Sequence, residues 1–234
     1  MNERNHWITF PQHEVIRWAA FLPAPRGNPE ELIRFGARVA DAGTRHAVWS
    51  AQRLPGGFDA AKESFETYLR GVVRARQRVP LPLDEPPGES LWAPARIAFY
   101  RGDEIVQEDV GDIGALLRTL RPEKRSYNRS TSPVTVRGLT VPVDQEKEVV
   151  VSIRLDTDIW FPRLIGMAEP ETGEAMRTTY DNRALAEIHT PRLNAFLEDV
   201  HGAALAAGGR WEVWKPDGFG MDYAEQFDEL GVIL

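Results

Sequence analysis

The chain has no cysteine in 234 residues. That excludes a disulfide framework, thiol catalysis and any thiolate-ligated metal centre. No run of about 18 apolar residues occurs, so no membrane-spanning helix is expected. The opening MNERNHWITF has no charged segment leading into an apolar one, so it does not read as a secretory leader, and a cytoplasmic location is the expectation. Lysine is scarce. Of 28 basic residues only Lys62, Lys124, Lys147 and Lys215 are lysines, a bias that fits a GC-rich genome better than a dedicated phosphate site. There are no internal repeats and no low-complexity tracts.

Catalytic signatures are equally sparse. No two of the five histidines stand four residues apart, and no H-E-x-x-H is present, so zinc is poorly supported. Neither a G-x-S-x-G elbow nor a phosphate-binding loop occurs. Gly218 and Gly220 form a Gly-x-Gly that neither follows a strand signal nor opens a helix.

What is present is charge, unevenly laid out. The net charge of −7 disfavours general nucleic-acid binding. From Arg118 to Arg137 six basic residues face one acid, and from Gly138 onward eight basic residues face eighteen acidic ones. Arg121, Lys124, Arg125 and Arg129 make a secondary basic patch in an expected loop. The C-terminal acids Glu212, Asp217, Asp222, Glu225, Asp228 and Glu229, with Trp214 and Phe219 as aromatic anchors, make a candidate binding face for a basic protein partner.

Local signals predict an α+β fold: a mixed or mostly antiparallel sheet packed against four or five helices. It is read as one domain over 1–234, with a possible subdomain boundary in the proline-rich connector at 80–90. Asn28-Pro29-Glu30-Glu31 opens a helix by capping, proline in the first turn and acids at the positive dipole end. Leu32, Phe35, Gly36 and Val39 share one face of it, and Gly43 is the expected stop. Asp59 to Arg78 predicts a second helix ending in four arginines. Ala95–Arg101 and Glu104–Glu108 read as a hairpin about Gly102-Asp103, and Asp112 as the cap of a short helix. Val134–Val136 and Val141–Val143 read as short strands broken by Gly138 and Pro142. Glu148–Leu155 is the strongest strand signal. Thr190-Pro191 reads as the start of the last long helix, which Gly208-Gly209 ends. Trp211–Trp214 is a strand, with Gly231–Leu234 a short one after it.

The segment VVVSIRLDTDIWFP (149–162) unites a β-branched run with two carboxylates. Asp156 and Asp158, two apart on an extended chain, point to one face and suit Mg²⁺ or Mn²⁺ with a phosphate, or a shared proton. Asp-x-Asp after an apolar strand resembles the nucleophile motif of haloacid-dehalogenase-type phosphatases. That family places glycine and then Thr or Val after the second Asp, where this chain has Ile159 and Trp160, so membership does not follow. The plain reading is a strand ending in a turn, with Arg154 as charge partner of the two acids. His189, beside Thr190, is the candidate general base if the chain is an enzyme. Tyr180-Asp181-Asn182-Arg183, with Arg192 and Asn194, is rich in hydrogen-bonding groups and is either a helix cap or a recognition surface.

Three functions are therefore carried forward. The first is a non-catalytic acidic binding protein without cofactor, with a general likeness in size and charge to immunity-type inhibitors. The second is a metal-dependent hydrolase or phosphotransferase using Asp156 and Asp158. The third is an assembly component joined through the Trp211–Trp214 strand.

Overall fold

The structure, a computed structural model, describes residues 4–8, 16–23, 30–48, 90–91, 95–121, 134–143, 146–155, 157–165, 179–214 and 223–234. Its strands are β1 (Arg17–Pro23), β2 (Ser90–Leu91), β3 (Ala95–Arg101), β4 (Glu104–Val110), β5 (Val134–Val143), β6 (Glu146–Leu155), β7 (Arg163–Ile165), β8 (Thr179–Asp181) and β9 (Arg210–Trp214). The described helices are α1 (Glu30–Arg45), α2 (Ile113–Leu120) and α3 (Arg183–Ala206). Both kinds of element are present, and among the described residues every strand pairing is antiparallel, as suits an α+β fold. Among the described residues there are three helices, against the four or five expected for the whole chain. The predicted helix 59–78 and the connector 81–88 lie outside the described residues.

The main sheet runs β2-β5-β6-β1-β9. β1 lies near its middle, with Ala20 opposite Val151 on one side and Trp211 on the other. Trp18, Ala20 and Leu22 point to one face and join Val151, Ile153 and Leu155 in the main core. Ala19, Phe21 and Val150 point to the other face and form a separate buried cluster. Because both faces of β1 are buried, its sequence WAAFL shows no alternation. Among the described residues it is the one long element that the local signals did not announce.

α3 lies over β1 and β9 and also touches β3, with α1 packed beside it. Leu193, Phe196, Leu197 and Val200 of α3 are buried with Phe35, Val39 and Ala42 of α1 in the same core. Full burial of side chains of this size contributes about 1.5–3 kcal/mol each. Asp199 locks the pair: its Oδ2 lies 3.0 Å from Arg45 Nη1 and 2.6 Å from His46 Nε2.

Several boundaries differ from the sequence reading. α1 runs two residues past Gly43, and the left-handed turn falls at Ala47 (φ 53°). Val134–Val143 is one continuous strand, since the long β6 partner holds it across Gly138 and Pro142. α3 does not start at Thr190-Pro191. It starts at Arg183 and carries Pro191 inside, with the Thr190 hydroxyl donating to Trp160 O at 2.7 Å. Tertiary packing of a 24-residue helix overrides a local start signal. The β3–β4 hairpin and the α2 cap match expectation: Asp112 Oδ1 accepts from Ala115 N at 2.8 Å. Gly231–Leu234 forms one bridge, Phe227 to Ile233, and is held by Asn194, whose amide exchanges two hydrogen bonds with Ile233.

Candidate functional site

Two of the residues first suspected of chemistry, Asp158 and His189, are spent inside the fold. Asp158 is fully buried just beyond the end of β6. Its Oδ1 accepts from Ile8 N at 2.7 Å and its Oδ2 from the Tyr223 hydroxyl at 2.7 Å. Tyr223 in turn accepts from Ile165 N at 3.0 Å. One carboxyl thus ties the N-terminal segment, β7 and the C-terminal turn together. Burial is the main influence on its acidity and pushes the pKa up to about 7, against the pull of these donors and of Arg121. Both oxygens of Asp158 are engaged inside the fold, and the side chain has no exposed surface. Asp156 lies outside the described residues. The cation acting on Asp158 is Arg121, where Arg154 was expected.

Arg121 itself was expected in an exposed basic patch. It is buried, with Nη1 donating to Asn5 O at 3.0 Å. Lys124, Arg125 and Arg129 lie outside the described residues.

His189 is fully buried against Trp160, with the two rings edge-on at 5.1 Å. Arg192 Nη2 lies 2.7 Å from Nδ1. A guanidinium only donates, so Nδ1 accepts and the ring proton sits on Nε2, 3.1 Å from Ala98 O. Burial first, and the Arg192 charge second, lower the pKa to about 3 and keep the imidazole neutral. It pins α3 to β3 and has no solvent face from which to act as a base. Arg192 reaches Ile188 O, Ala47 O and Arg96 O as well, and Asn194 serves Ile233, so both belong to the scaffold.

The expected acidic face is partly used internally. Glu212 pairs with Arg210 on β9, and Glu225 lies 3.2 Å from Arg163. Asp228 Oδ1 accepts from Leu230 N and Val232 N, closing a turn. Glu229 is exposed. Asp217, Phe219 and Asp222, and the side chain of Trp214, lie outside the described residues. As the alternation in WEVW implied, Trp211 and Val213 pack on the core and Glu212 takes the opposite face. β9 ends the described sheet, as the assembly reading needs, but it carries Arg210 and Glu212, charges of the kind that blunt an edge.

Of the Tyr180–Arg183 cluster, Tyr180, Asp181 and Arg183 reach solvent while Asn182 is buried. A cleft of about 630 Å³ lies there, bounded by β8, the first turn of α3, Tyr100 of β3 and the N-terminal residues Arg4 and His6. Its size is that of ordinary ligand sites. His6 stacks flat on Tyr180 with ring centroids 3.8 Å apart and planes 9° from parallel. Arg4 sits 5.3 Å over the Tyr100 ring and 3.5 Å from Asp103. Asp181 and Arg183 form a two-pronged pair, Nε to Oδ1 at 3.0 Å and Nη2 to Oδ2 at 2.6 Å. The Arg183 bonds hold Asp181 down at about pH 2. Asn182 occupies the cap position of α3, but its side chain turns inward and donates to Ile159 O at 3.0 Å and Phe161 O at 2.8 Å. The capping bond comes from Asp181, whose Oδ1 accepts from Arg183 N at 3.0 Å. Glu187, one turn into α3, is exposed at the rim.

The sequence reading found the Tyr180–Arg183 wall of this cleft. It missed Arg4, His6 and Tyr100, which lie more than 75 residues away and carry no local motif. Among the described residues no group of three or more His, Asp or Glu is placed to hold a metal ion, and no described helix is long and apolar enough to cross a membrane. No protein-family model, no curated protein and no solved structure matches this chain.

Proposed function

We propose that the chain is a non-catalytic acidic binding protein that engages a basic protein partner, in the manner of immunity-type inhibitors. The observation that carries this reading is the contrast between two sets of polar groups. Asp158 and His189, two of the three catalytic candidates, are fully buried and bonded to the backbone of distant segments. A second set, Arg4, Asp181, Arg183 and Glu187, instead lines an open cleft beside the stacked rings of His6 and Tyr180. Rigid aromatic surfaces rimmed by charge are the usual make-up of interface centres. A net charge of −7 favours fast, steered encounter with a cationic partner.

Affinity isolation from the source cell at low salt, followed by reconstitution with the purified partner, tests the reading. A stoichiometric complex with a basic protein, formed at a rate that falls steeply as salt rises, is the expected result. Recovery of no stoichiometric partner, or of an acidic one, refutes it.

A further inference from the structure

We propose that the outer edge of β8 is a docking site for an extended peptide segment, which adds to it as a third strand with a lysine or arginine opposite Glu187. The positive charge assigned to this segment rests on the binding-protein reading; the edge itself stands on backbone geometry.

Strands β7 and β8 form a two-stranded sheet pairing Arg163 with Asp181, Leu164 with Tyr180 and Ile165 with Thr179. Asn182 N donates to Pro162 O at 2.9 Å just beyond these pairs. In an antiparallel ladder the bonded pairs alternate. Leu164 and Tyr180 therefore exchange the next bonds, and Arg163, Ile165, Thr179 and Asp181 turn their backbone groups away from the partner strand. On the β7 side three of those outward groups are engaged by side chains. Gln226 bonds both Arg163 N and Arg163 O, at 3.0 and 2.9 Å, and the Tyr223 hydroxyl takes Ile165 N. The free edge of β3 is closed in the same way. Arg192 takes Arg96 O, His189 takes Ala98 O, and Asn5 bonds both the N–H and the C=O of Tyr100.

The β8 edge differs. Among the described residues nothing bonds the backbone N–H or C=O of Thr179 and Asp181 outside the ladder. All three residues of β8 line the cleft. Side chains alternate along a strand, so a cavity touching three consecutive residues runs along the strand's edge rather than over one face. Outward backbone groups give an incoming strand its affinity, and the walls give it specificity. Here the His6–Tyr180 stack supplies a flat aromatic wall. The charges select sign: Asp181 and Glu187 both act on Arg183, two carboxylates to one cation, and Arg4 faces Asp103, so the surplus charge at the rim is negative, with Glu187 one turn along α3.

Nuclear magnetic resonance titration of the full chain with a blocked hexapeptide tests this. The probe alternates threonine and valine around a central arginine; a second copy is methylated at every backbone nitrogen, and a third has glutamate for arginine. The first peptide is expected to bind saturably, with the largest amide shifts at Thr179 and Asp181. Methylation, the glutamate peptide and Glu187→Gln should each weaken binding at least tenfold. Thr179→Pro deletes an outward N–H without touching the β7 ladder and should abolish binding, whereas Thr179→Ala should keep it. Equal binding of plain and methylated peptides, unchanged binding by a folded Thr179→Pro chain, or no saturation into the millimolar range overturns the inference. The two readings fail separately. A basic partner that binds Thr179→Pro as tightly as the parent sinks the β8 site and leaves the binding-protein reading. Peptide capture at β8 with no cellular basic partner does the reverse.

Discussion

Asp158 should make the protein less stable as pH rises toward neutrality, the reverse of an ordinary paired carboxylate. In the unfolded chain its pKa is near the ordinary aspartate value of 3.8, and in the fold burial raises it to about 7. A group whose folded pKa is raised stabilises the fold fully below the unfolded pKa, and that stabilisation is lost as pH climbs through the folded one. Three pH units at about 1.4 kcal/mol each give a loss of about 4 kcal/mol across the whole window. The readable part lies between pH 5 and pH 8, where the loss is about 2–3 kcal/mol and flattens above pH 7. Asp158→Asn is the reference. Its carbonyl still accepts from Ile8 N, and its amide faces a Tyr223 hydroxyl able to accept. Urea unfolding followed by tryptophan fluorescence at pH 5, 6, 7 and 8 yields the difference between parent and variant. The parent should lose ground steadily to Asp158→Asn up to pH 7. Parallel curves would show that Asp158 does not change its affinity for protons on folding, and the burial argument would fail.

His189 acts in the opposite sense. Its folded pKa lies near 3, below the 6.5 of the free side chain, so its contribution is present above pH 6.5 and is lost on acidification. Against His189→Gln the parent should lose about 2–3 kcal/mol between pH 7 and pH 4.5 in the same assay, and a pH-independent difference would contradict a neutral buried ring. Gly231 has φ +77°, and a Cβ there would run into the Trp18 indole nitrogen, which already donates to Gly231 O at 3.1 Å. Gly231→Ala should cost about 2–4 kcal/mol and blue-shift or broaden the tryptophan emission, and a cost under about 0.5 kcal/mol would refute the contact. Asn182→Ala leaves Ile159 O and Phe161 O without their donor, so thermal unfolding should reveal a loss of about 2–3 kcal/mol.

The parts of the fold legible in the sequence are those that local chemistry decides. The Gly102-Asp103 turn, with Gly102 at φ +66°, sets the β3–β4 hairpin, and the Asp112 carboxyl sets the start of α2. Glu148–Leu155 announced β6 by its β-branched run. Where burial on two faces decides, the signal vanishes: β1 reads as plain apolar sequence and was passed over. Where tertiary packing decides, the signal misleads: Thr190-Pro191 looks like a helix start and lies inside α3. The site followed the same rule. Tyr180–Arg183 stood out as a run of polar groups, yet only the fold brings Arg4, His6 and Tyr100 to it. Asp158 looked like a ligand because spacing reveals which way a carboxylate points but not whether water reaches it.

The position of β1 also governs when the protein can become itself. Its neighbours are β6, more than 120 residues later, and β9, which starts at residue 210. At about 5–20 residues per second of synthesis, the apolar stretch Trp18–Leu22 waits roughly 10–40 s for its last partner strand. Pairings so distant in sequence close slowly. The nascent chain therefore carries a sticky, unfinished sheet through most of its synthesis. Any truncation before residue 210 leaves β1 without β9 and should send the product to chaperones or into aggregates.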